Sequence, residues 1–485
     1  MAAKTRVQRA ALALGPVAAL ALLLAPPPDG LSFAAWSLVP LLVLMVTWWV
    51  TEAIPIPVTS LLPLVWLPLF GVANIDDASS PYFSPIVVLL FGGFVIAKSV
   101  ERWNLHERLA LKTVARAGGS PQGLTLGFLV AAALLSGWIS NTAAAIMLLP
   151  VALSVAYALG ARKGASETLT VALVLAVAYG ASIGGLATPV GTPTNLIVLG
   201  ILEEAGDTRI GFATWMSFGV PAVLVLLPAA WLVLTRLSGR IEARGGDARG
   251  VIRARIEALG PWTPPERRTL AVFGVVAFFW VFRRAFLQDV EVLGVRPLAG
   301  LSDPLIAAAG AIAMFLVPSG SREEPGVMLL DWPTAARIPW DVLLLFGGGL
   351  SVAAAIQATG LGGWMGGEME GLAGLPDVLL VLALAAFVIF ATELTSNVAT
   401  ASALMPVILA MALATGLDPA GLAVPVALSA SCAFMLPMAT APNAIAYASG
   451  EVSIPRMARV GLKLNLICVV LIVGLAEVLV PLALG

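Results

Sequence analysis

The stretch Ser136-Gly137-Trp138-Ile139-Ser140-Asn141-Thr142-Ala143-Ala144-Ala145 lies in the middle of an apolar run, residues 122–158. A bilayer core takes about 20 apolar residues per helix, so a run of this length is too long for one straight crossing. Its polar break at Ser140-Asn141-Thr142 reads instead as the tip of a helical hairpin. A second run, 378–415, is broken in the same way at Ser396-Asn397-Val398, 256 residues later. Leu89-Leu90-Phe91-Gly92-Gly93 also reappears, as Leu344-Leu345-Phe346-Gly347-Gly348, 255 residues later. Two unrelated matches at nearly one offset mark an internal repeat.

The rest of the chain has a composition suited to lipid. It has 485 residues, 59% of them apolar and 11% charged, and its mean hydropathy is +0.98. A soluble protein of this length needs far more surface charge, whereas lipid solvates an apolar outer face. The net charge of −1 offers no basic surplus for nucleic acid, and the lone histidine, His106, excludes a His-rich metal site. Cys432 and Cys468, both inside apolar runs, read as small packing residues rather than a disulfide or a metal pair. Lys4, Arg6 and Arg9 precede an apolar run, Ala10 to Ala25, that resembles a signal peptide. The run ends in Pro26-Pro27-Pro28 with no small-x-small cleavage site, so residues 1–33 read as a retained N-terminal span.

The spans expected next are 34–52, 56–72 and 84–100, after a first at 10–26. A mixed-charge amphipathic stretch, 101–118, leads into the hairpin 122–158, a span 168–204 broken at Thr188–Asn195, and a span 212–236. The Arg- and Gly-rich segment 237–266 reads as a solvated cytoplasmic linker. Residues 267–485 then hold spans at 268–285, 303–318 and 339–357, an acidic stretch at 361–371 and the hairpin 378–415. They end with a span 419–454 broken at Ala439–Asn443, and a span 460–483. Residues 34–236 and 267–485 thus follow one order of elements. If each hairpin enters and leaves on one side, each half crosses the bilayer an odd number of times, which turns the second half upside down. The fold expected is an all-α polytopic membrane protein. Two inverted repeats of five spans, each with a re-entrant helical hairpin and a broken helix, follow one extra N-terminal span.

Charge fits that topology. With the N-terminus in the cytoplasm, all of the 27 Lys and Arg fall on the cytoplasmic side except Arg209, Arg283, Arg284 and Arg296. The first amphipathic stretch carries Arg102, Arg108 and Lys112, whereas its repeat partner carries Glu368 and Glu370 and no basic residue. Inversion accounts for the contrast, because it puts the two stretches on opposite faces. The location expected is the inner (plasma) membrane.

Broken helices in lipid need a reason, since each unpaired backbone group costs several kcal/mol in hydrocarbon. They are tolerated where they line a cavity and bind something. Hydroxyls and amides at a helix start can hold a carboxylate, with the helix dipole adding attraction, while loose carbonyls and Ser or Asn oxygens can hold Na⁺. Few basic residues fall at membrane depth, so dipoles and co-bound cations, rather than Arg, meet the charge of a small anion. Ser, Thr and Asn can also simply hydrogen-bond neighbouring helices. Two triplets at matching repeat positions, each paired with a Pro-containing broken span, speak for the binding role.

The sequence resembles the divalent anion/sodium symporter family, which includes dicarboxylate, citrate and sulfate carriers. The resemblance runs through Trp48-Trp49-Val50-Thr51-Glu52-Ala53-Ile54-Pro55, Ser140-Asn141-Thr142 and Gly191-Thr192-Pro193-Thr194-Asn195. It continues in Ile338-Pro339-Trp340-Asp341 and Phe434-Met435-Leu436-Pro437-Met438-Ala439-Thr440. By motif, it implies a first sodium site at Ser136, Ser140, Asn141 and Gly191, and a second at Thr392, Ser396, Asn397 and Ala439. It places the anion between the tips, against Asn141, Thr142, Asn397, Val398 and Thr440. It further implies sodium symport of C4-dicarboxylates such as succinate, with sulfate or citrate carriage or sodium-independent exchange as alternatives. An elevator motion, a homodimer formed through the scaffold, and no organic cofactor also belong to that picture. Two departures border the expected substrate. Val398 puts a methyl where the triplet has a hydroxyl, and Ala439-Thr440-Ala441-Pro442 has one proline where many relatives have two.

Other readings are weaker. Gly180-Ala181-Ser182-Ile183-Gly184 fits the serine nucleophile pattern G-x-S-x-G, but the only histidine falls at a membrane surface, no lysine at membrane depth is a good candidate base, and small residues also let helices pack closely. No H-E-x-x-H and no Walker loop occurs, so no catalytic residues are expected. A channel lined by paired hairpins is a further alternative, separable by substrate counterflow. Glu393, beside a tip, could support the cation site electrostatically, whereas Glu52, near a span end, reads as a cap or interfacial residue. His106 reads as an interface residue, and Trp103, Trp262, Trp332 and Trp364 as an aromatic belt.

Overall fold

The structure, a computed structural model, describes residues 4–484 apart from 163–166, 207–209, 240, 242–244, 284, 285, 287, 289, 292–295, 297 and 369–375. Lys163, Arg209, Arg240, Arg244, Arg284 and Glu370 therefore lie outside the described residues. Among the described residues the regular structure is helical, with one isolated bridge between Pro318 and Met328. Eight of these helical segments are long and apolar enough to cross a membrane.

The first half begins with α1 (Arg6–Leu24) and α2 (Phe33–Thr51), packed side by side. The Trp48 and Trp36 indoles of α2 donate to the Ala11 and Leu22 carbonyls of α1, at 3.1 and 2.9 Å. Glu52 caps the C-terminal end of α2 in the left-handed region, in line with the capping role expected of it. The span expected at 56–72 is not one helix. It divides into α3 (Ile56–Thr59) and α4 (Leu62–Leu69), followed by α5 (Ile75–Ser79). Pro63 lacks the N–H that a continuous helix would use, and the chain turns at Ser60. The half continues with α6 (Pro85–Arg102), the amphipathic α7 (Leu105–Arg116), and the hairpin α8 (Pro121–Ser136) and α9 (Asn141–Ala158). The broken span α10 (Thr168–Gly184) and α11 (Pro193–Gly206) and then α12 (Phe212–Leu232) close it.

Segment 237–266, expected as a solvated linker, is mostly exposed among its described residues but not structureless. It holds α13 (Ala248–Ala258), with Ala248 and Ile252 buried, and its last residues clamp α7. Buried Arg108 donates to Glu266 Oε1 at 2.7 Å and to the carbonyls of Leu259, Gly260 and Pro261. Arg108 and Lys112 also lie over the Trp262 ring. His106 is buried within the protein. Its ring meets the Val100 carbonyl at 3.2 Å, and burial lowers its pKa, which favours the neutral form. The four tryptophans divide: Trp332 is exposed, but the Trp103 indole donates to the Leu329 carbonyl, Trp262 carries the two cations, and Trp364 packs on the core around α2.

The second half runs α14 (Pro264–Phe282), α15 (Asp303–Leu316), α16 (Trp332–Ala335) and α17 (Trp340–Thr359). The short α18 (Leu361–Glu368) precedes the second hairpin, α19 (Asp377–Ala391) and α20 (Asn397–Thr415). The second broken span, α21 (Pro419–Ala430) and α22 (Ala441–Ala448), and α23 (Ile454–Leu484) complete the chain. Cys432 and Cys468 are buried and unbridged, as packing residues are.

At the centre is α10, whose apolar window is wholly buried. A Cβ added at Gly180 would lie 2.4 Å from the Leu129 carbonyl oxygen, and one at Gly184 would lie 2.2 Å from Ala133 Cα, so the two glycines let α8 touch α10. The G-x-S-x-G spacing is thereby explained by packing, and Ser182 is buried. The two halves also share a close helix contact. A Cβ at Gly219 of α12 would lie 2.2 Å from the Leu186 carbonyl oxygen, and one at Gly461 of α23 would lie 2.2 Å from the Phe434 carbonyl oxygen. Leu186 and Phe434 occupy equivalent places in the two breaks, 248 residues apart.

Candidate functional site

Both hairpin tips are made by the same capping chemistry. Ser140 is the N-cap of α9 and accepts from the Ala143 N–H at 3.1 Å, and Ser396 is the N-cap of α20 and accepts from the Ala399 N–H at 3.2 Å. Asn141 and Asn397 are the first helical residues after each cap. Ahead of each tip, a hydroxyl at the end of the incoming helix holds that asparagine. Ser136 Oγ donates to Asn141 Oδ1, and Thr392 Oγ1 donates to Asn397 Oδ1 at 2.7 Å.

The breaks in the spans are also built alike. Asn195 Nδ2 donates to the Gly185 and Thr188 carbonyls, at 2.9 and 2.8 Å. Asn443 Nδ2 donates to the Ala433 and Leu436 carbonyls, at 3.0 and 3.1 Å. Each amide reaches back ten and seven residues to close the loop between two half-helices. Beyond each break the chain re-enters a helix on a proline, Pro193 in α11 and Pro442 in α22, where a missing N–H does no harm. Thr440 caps α22 by accepting from the Asn443 N–H at 3.2 Å.

These four helix starts line one chamber of about 840 Å³. Ser140, Asn141 and Thr142 face it from α9, and Thr192 and Pro193 from α11. Ser396, Asn397 and Val398 face it from α20, and Thr440, Ala441 and Pro442 from α22. Free N–H groups and the positive end of each dipole therefore point at one space, which favours an anion there. None of these residues is charged. The wall is uneven, because Leu394 and Met438 beside the second tip are large, apolar and exposed to the chamber.

Behind the tips lie helix ends of the opposite polarity. Ser136 ends α8, and Gly185 and Gly191 flank the first break so closely that a Cβ on Gly191 would lie 2.5 Å from the Gly185 oxygen. A Cβ on Gly185 would lie 2.9 Å from Asn141 Oδ1. Gly185, which the motif reading left out, therefore joins Ser136, Asn141 and Gly191 around a small group of neutral oxygens. In the second half Thr392 Oγ1 also reaches the Ala430 carbonyl, at 3.2 Å, and Ala439 lies on the chamber wall. A set of hydroxyl, amide and carbonyl oxygens at C-terminal helix ends is chemistry that suits Na⁺. Ser140 and Ser396 lie at the tips with their hydroxyls engaged as caps, so the structure brings all the expected site residues to the two tips and the two breaks.

Glu393 holds the loop of the second break. Its carboxylate is buried, and it accepts from the Phe434 and Met435 N–H groups through Oε1 and from Leu436 N–H through Oε2, at 2.7 to 2.9 Å. Asn465 of α23 donates to it as well. It fixes the loop of the second break, whereas the equivalent place in the first half is Gly137, whose carbonyl accepts from Thr188 Oγ1. The Tyr179 hydroxyl of α10 donates to the Phe434 carbonyl at 2.9 Å and so ties one broken span to the other. Asn195 and Asn443 were visible in the sequence only as the ends of polar breaks. Their common rank in the two repeats was the available signal.

A family model described as the sodium:sulfate symporter transmembrane region matches residues 7–483. The chain belongs to this family. Among its relatives in the sodium:sulfate symporter family, it is 38% identical to a sodium-dependent dicarboxylate transporter, SdcS, of Staphylococcus saprophyticus, covering 99% of this chain and 92% of that one. It is 37% identical to the protein of the same description from Staphylococcus aureus strain MRSA252, over 98% and 91% of the two chains. The fold is similar to that of solved transporters. The Alcanivorax borkumensis YdaH transporter has a TM-score of 0.57 at 15% identity, covering 87% of this chain and 90% of that one. Neisseria gonorrhoeae MtrF, described among antimetabolite efflux pumps, has 0.60 at 16% identity, covering 95% and 96%.

Proposed function

We propose that this protein is a sodium-coupled symporter of small divalent anions, with C4-dicarboxylates such as succinate as its substrates. The single observation that carries the reading is the meeting of four helix N-termini around one chamber with no charged side chain among them. A dianion there has its charge met by N–H groups, dipoles and neighbouring sodium ions. The substrate would touch Asn141, Thr142, Asn397, Val398 and Thr440. The first sodium would lie among Ser136, Ser140, Asn141 and Gly191, and the second among Thr392, Ser396, Asn397 and Ala439. The name of the staphylococcal relatives supports both the dicarboxylate and the sodium dependence.

Transport in this reading follows an elevator. The hairpins and broken spans move as one body against a scaffold made by the plain spans, and two protomers meet through that scaffold in the plasma membrane. The halves 34–236 and 267–485 are taken as inverted, after an extra span within 1–33 and with the N-terminus and segment 237–266 in the cytoplasm. The chamber reaches Glu52 at the end of α2, Lys98 and Glu101 near the end of α6, and Arg337 ahead of α17. All are cytoplasmic in this topology, so the conformation is inward-facing.

The test is uptake of labelled succinate, citrate and sulfate by proteoliposomes, with and without an inward sodium gradient. The expected result is sodium-driven succinate uptake, with counterflow when the vesicles are preloaded. Uptake without sodium would favour exchange, and loss of counterflow would favour a channel.

A further inference from the structure

The chamber carries charge only toward its outer wall, at Glu52, Lys98, Glu101 and Arg337. Lys98 is neutralised by Glu101, with Nζ 2.6 Å from Oε2. Arg337 is exposed and, among the described residues, makes no salt bridge. It is therefore the unneutralised cation on the wall of a chamber whose inner end is uncharged. Glu52 is the unneutralised carboxylate on the same wall and forms no salt bridge with it.

Arg337 also sits on a fixed support. Its segment is strapped to α6, where the Ser99 hydroxyl and the Trp103 indole both donate to the Leu329 carbonyl. Arg102 pairs with Asp331 at 2.6 Å and with Glu324 at 3.0 Å. Asp331 in turn caps α16, accepting from the Thr334 N–H at 2.9 Å, and the bond to Thr334 followed by the nearby Arg102 holds its carboxyl below the ordinary range. The Arg337 N–H donates to the Thr334 carbonyl at 3.2 Å. The support belongs to neither hairpin nor broken span, so it stays in place when the tips move.

We propose that Arg337 is the anion-capture residue of the cytoplasmic side: it attracts the dianion to the inward-open chamber and sets its apparent affinity on that face. This rests on the symport reading above. An anion approaching the tips from outside meets a chamber from which Arg337 is withdrawn, so its effect is one-sided. A fixed charge at an aqueous rim acts mainly on encounter and is screened by salt.

The test compares inside-out with right-side-out membrane vesicles from expressing cells, measuring sodium-driven succinate uptake from each face. Arg337→Gln is expected to raise the KM of inside-out vesicles about threefold to tenfold, to shift that of right-side-out vesicles far less, and to leave the maximal rate per transporter similar. Arg337→Lys is expected to restore most of the loss. Arg322→Gln, which removes the same charge from an exposed site outside the chamber, is expected to change neither KM. Raising choline chloride from about 20 to about 300 mM should raise the inside-out KM of the unaltered protein and have little effect on Arg337→Gln. The salt series on the unaltered protein also reads the effect should Arg337→Gln fail to reach the membrane. Equal shifts on both faces, an unchanged inside-out KM, or a flat salt response in the unaltered protein would overturn the proposal. Absence of sodium-driven uptake by the unaltered protein from both faces is a different result and would overturn the function itself.

Discussion

Val398 stands in the second tip where Thr142 stands in the first, and both line the chamber. A hydroxyl there is a donor worth about 0.5–1.5 kcal/mol net, and its loss beside Leu394 and Met438 leaves one wall apolar. An apolar wall suits the methylene middle of succinate better than the extra hydroxyl and carboxylate of citrate. Val398→Thr is expected to lower the inhibition constant of citrate relative to that of succinate by about twofold to tenfold, read by competition against labelled succinate uptake. An unchanged ratio would mean that residue 398 does not touch the substrate. Asn141 and Asn397 were legible in the sequence because a polar residue inside an apolar run is conspicuous. Arg337 and Glu52 were not, because each lies at the end of an ordinary span and only the packing of α2, α6 and α17 brings them to one wall.

At the level of elements, hairpins and broken spans were legible because run length, polar breaks and proline all report on the same backbone problem. Ser140 and Ser396 do cap the helices they begin. What holds the loops of the breaks was hidden, since Glu393 reaches residues 434–436 and Asn465 across long stretches of chain. The docking of α13 and of residues 259–266 on α7 was hidden too. It depends on one buried arginine, Arg108, that looks like any surface charge in the sequence. Glu393→Ala removes the acceptor of three backbone N–H groups and of the Asn465 amide. Each donor left buried and unpaired costs about 1–3 kcal/mol, so the variant is expected to melt at least several degrees lower in detergent. A melting curve that coincides with that of the unaltered protein would show that the second break does not depend on this carboxylate.

For the whole molecule, the two halves share their tip hydrogen bonds, their Asn closures and the glycine contacts of α12 and α23. Helix starts face the chamber from both halves, and helix ends gather oxygens behind them. In the mechanism proposed above, helix polarity alone separates the anion from its cations, with no basic residue at the tips. Anion binding should then depend on sodium, because the cations complete the site that the dipoles begin. Calorimetry on the purified protein, titrating succinate in sodium chloride and in choline chloride, examines that dependence without requiring transport. The account predicts succinate binding in sodium that is lost in choline and abolished by Asn141→Ala and by Asn397→Ala. Binding of equal affinity without sodium, or retained by both variants, would contradict it.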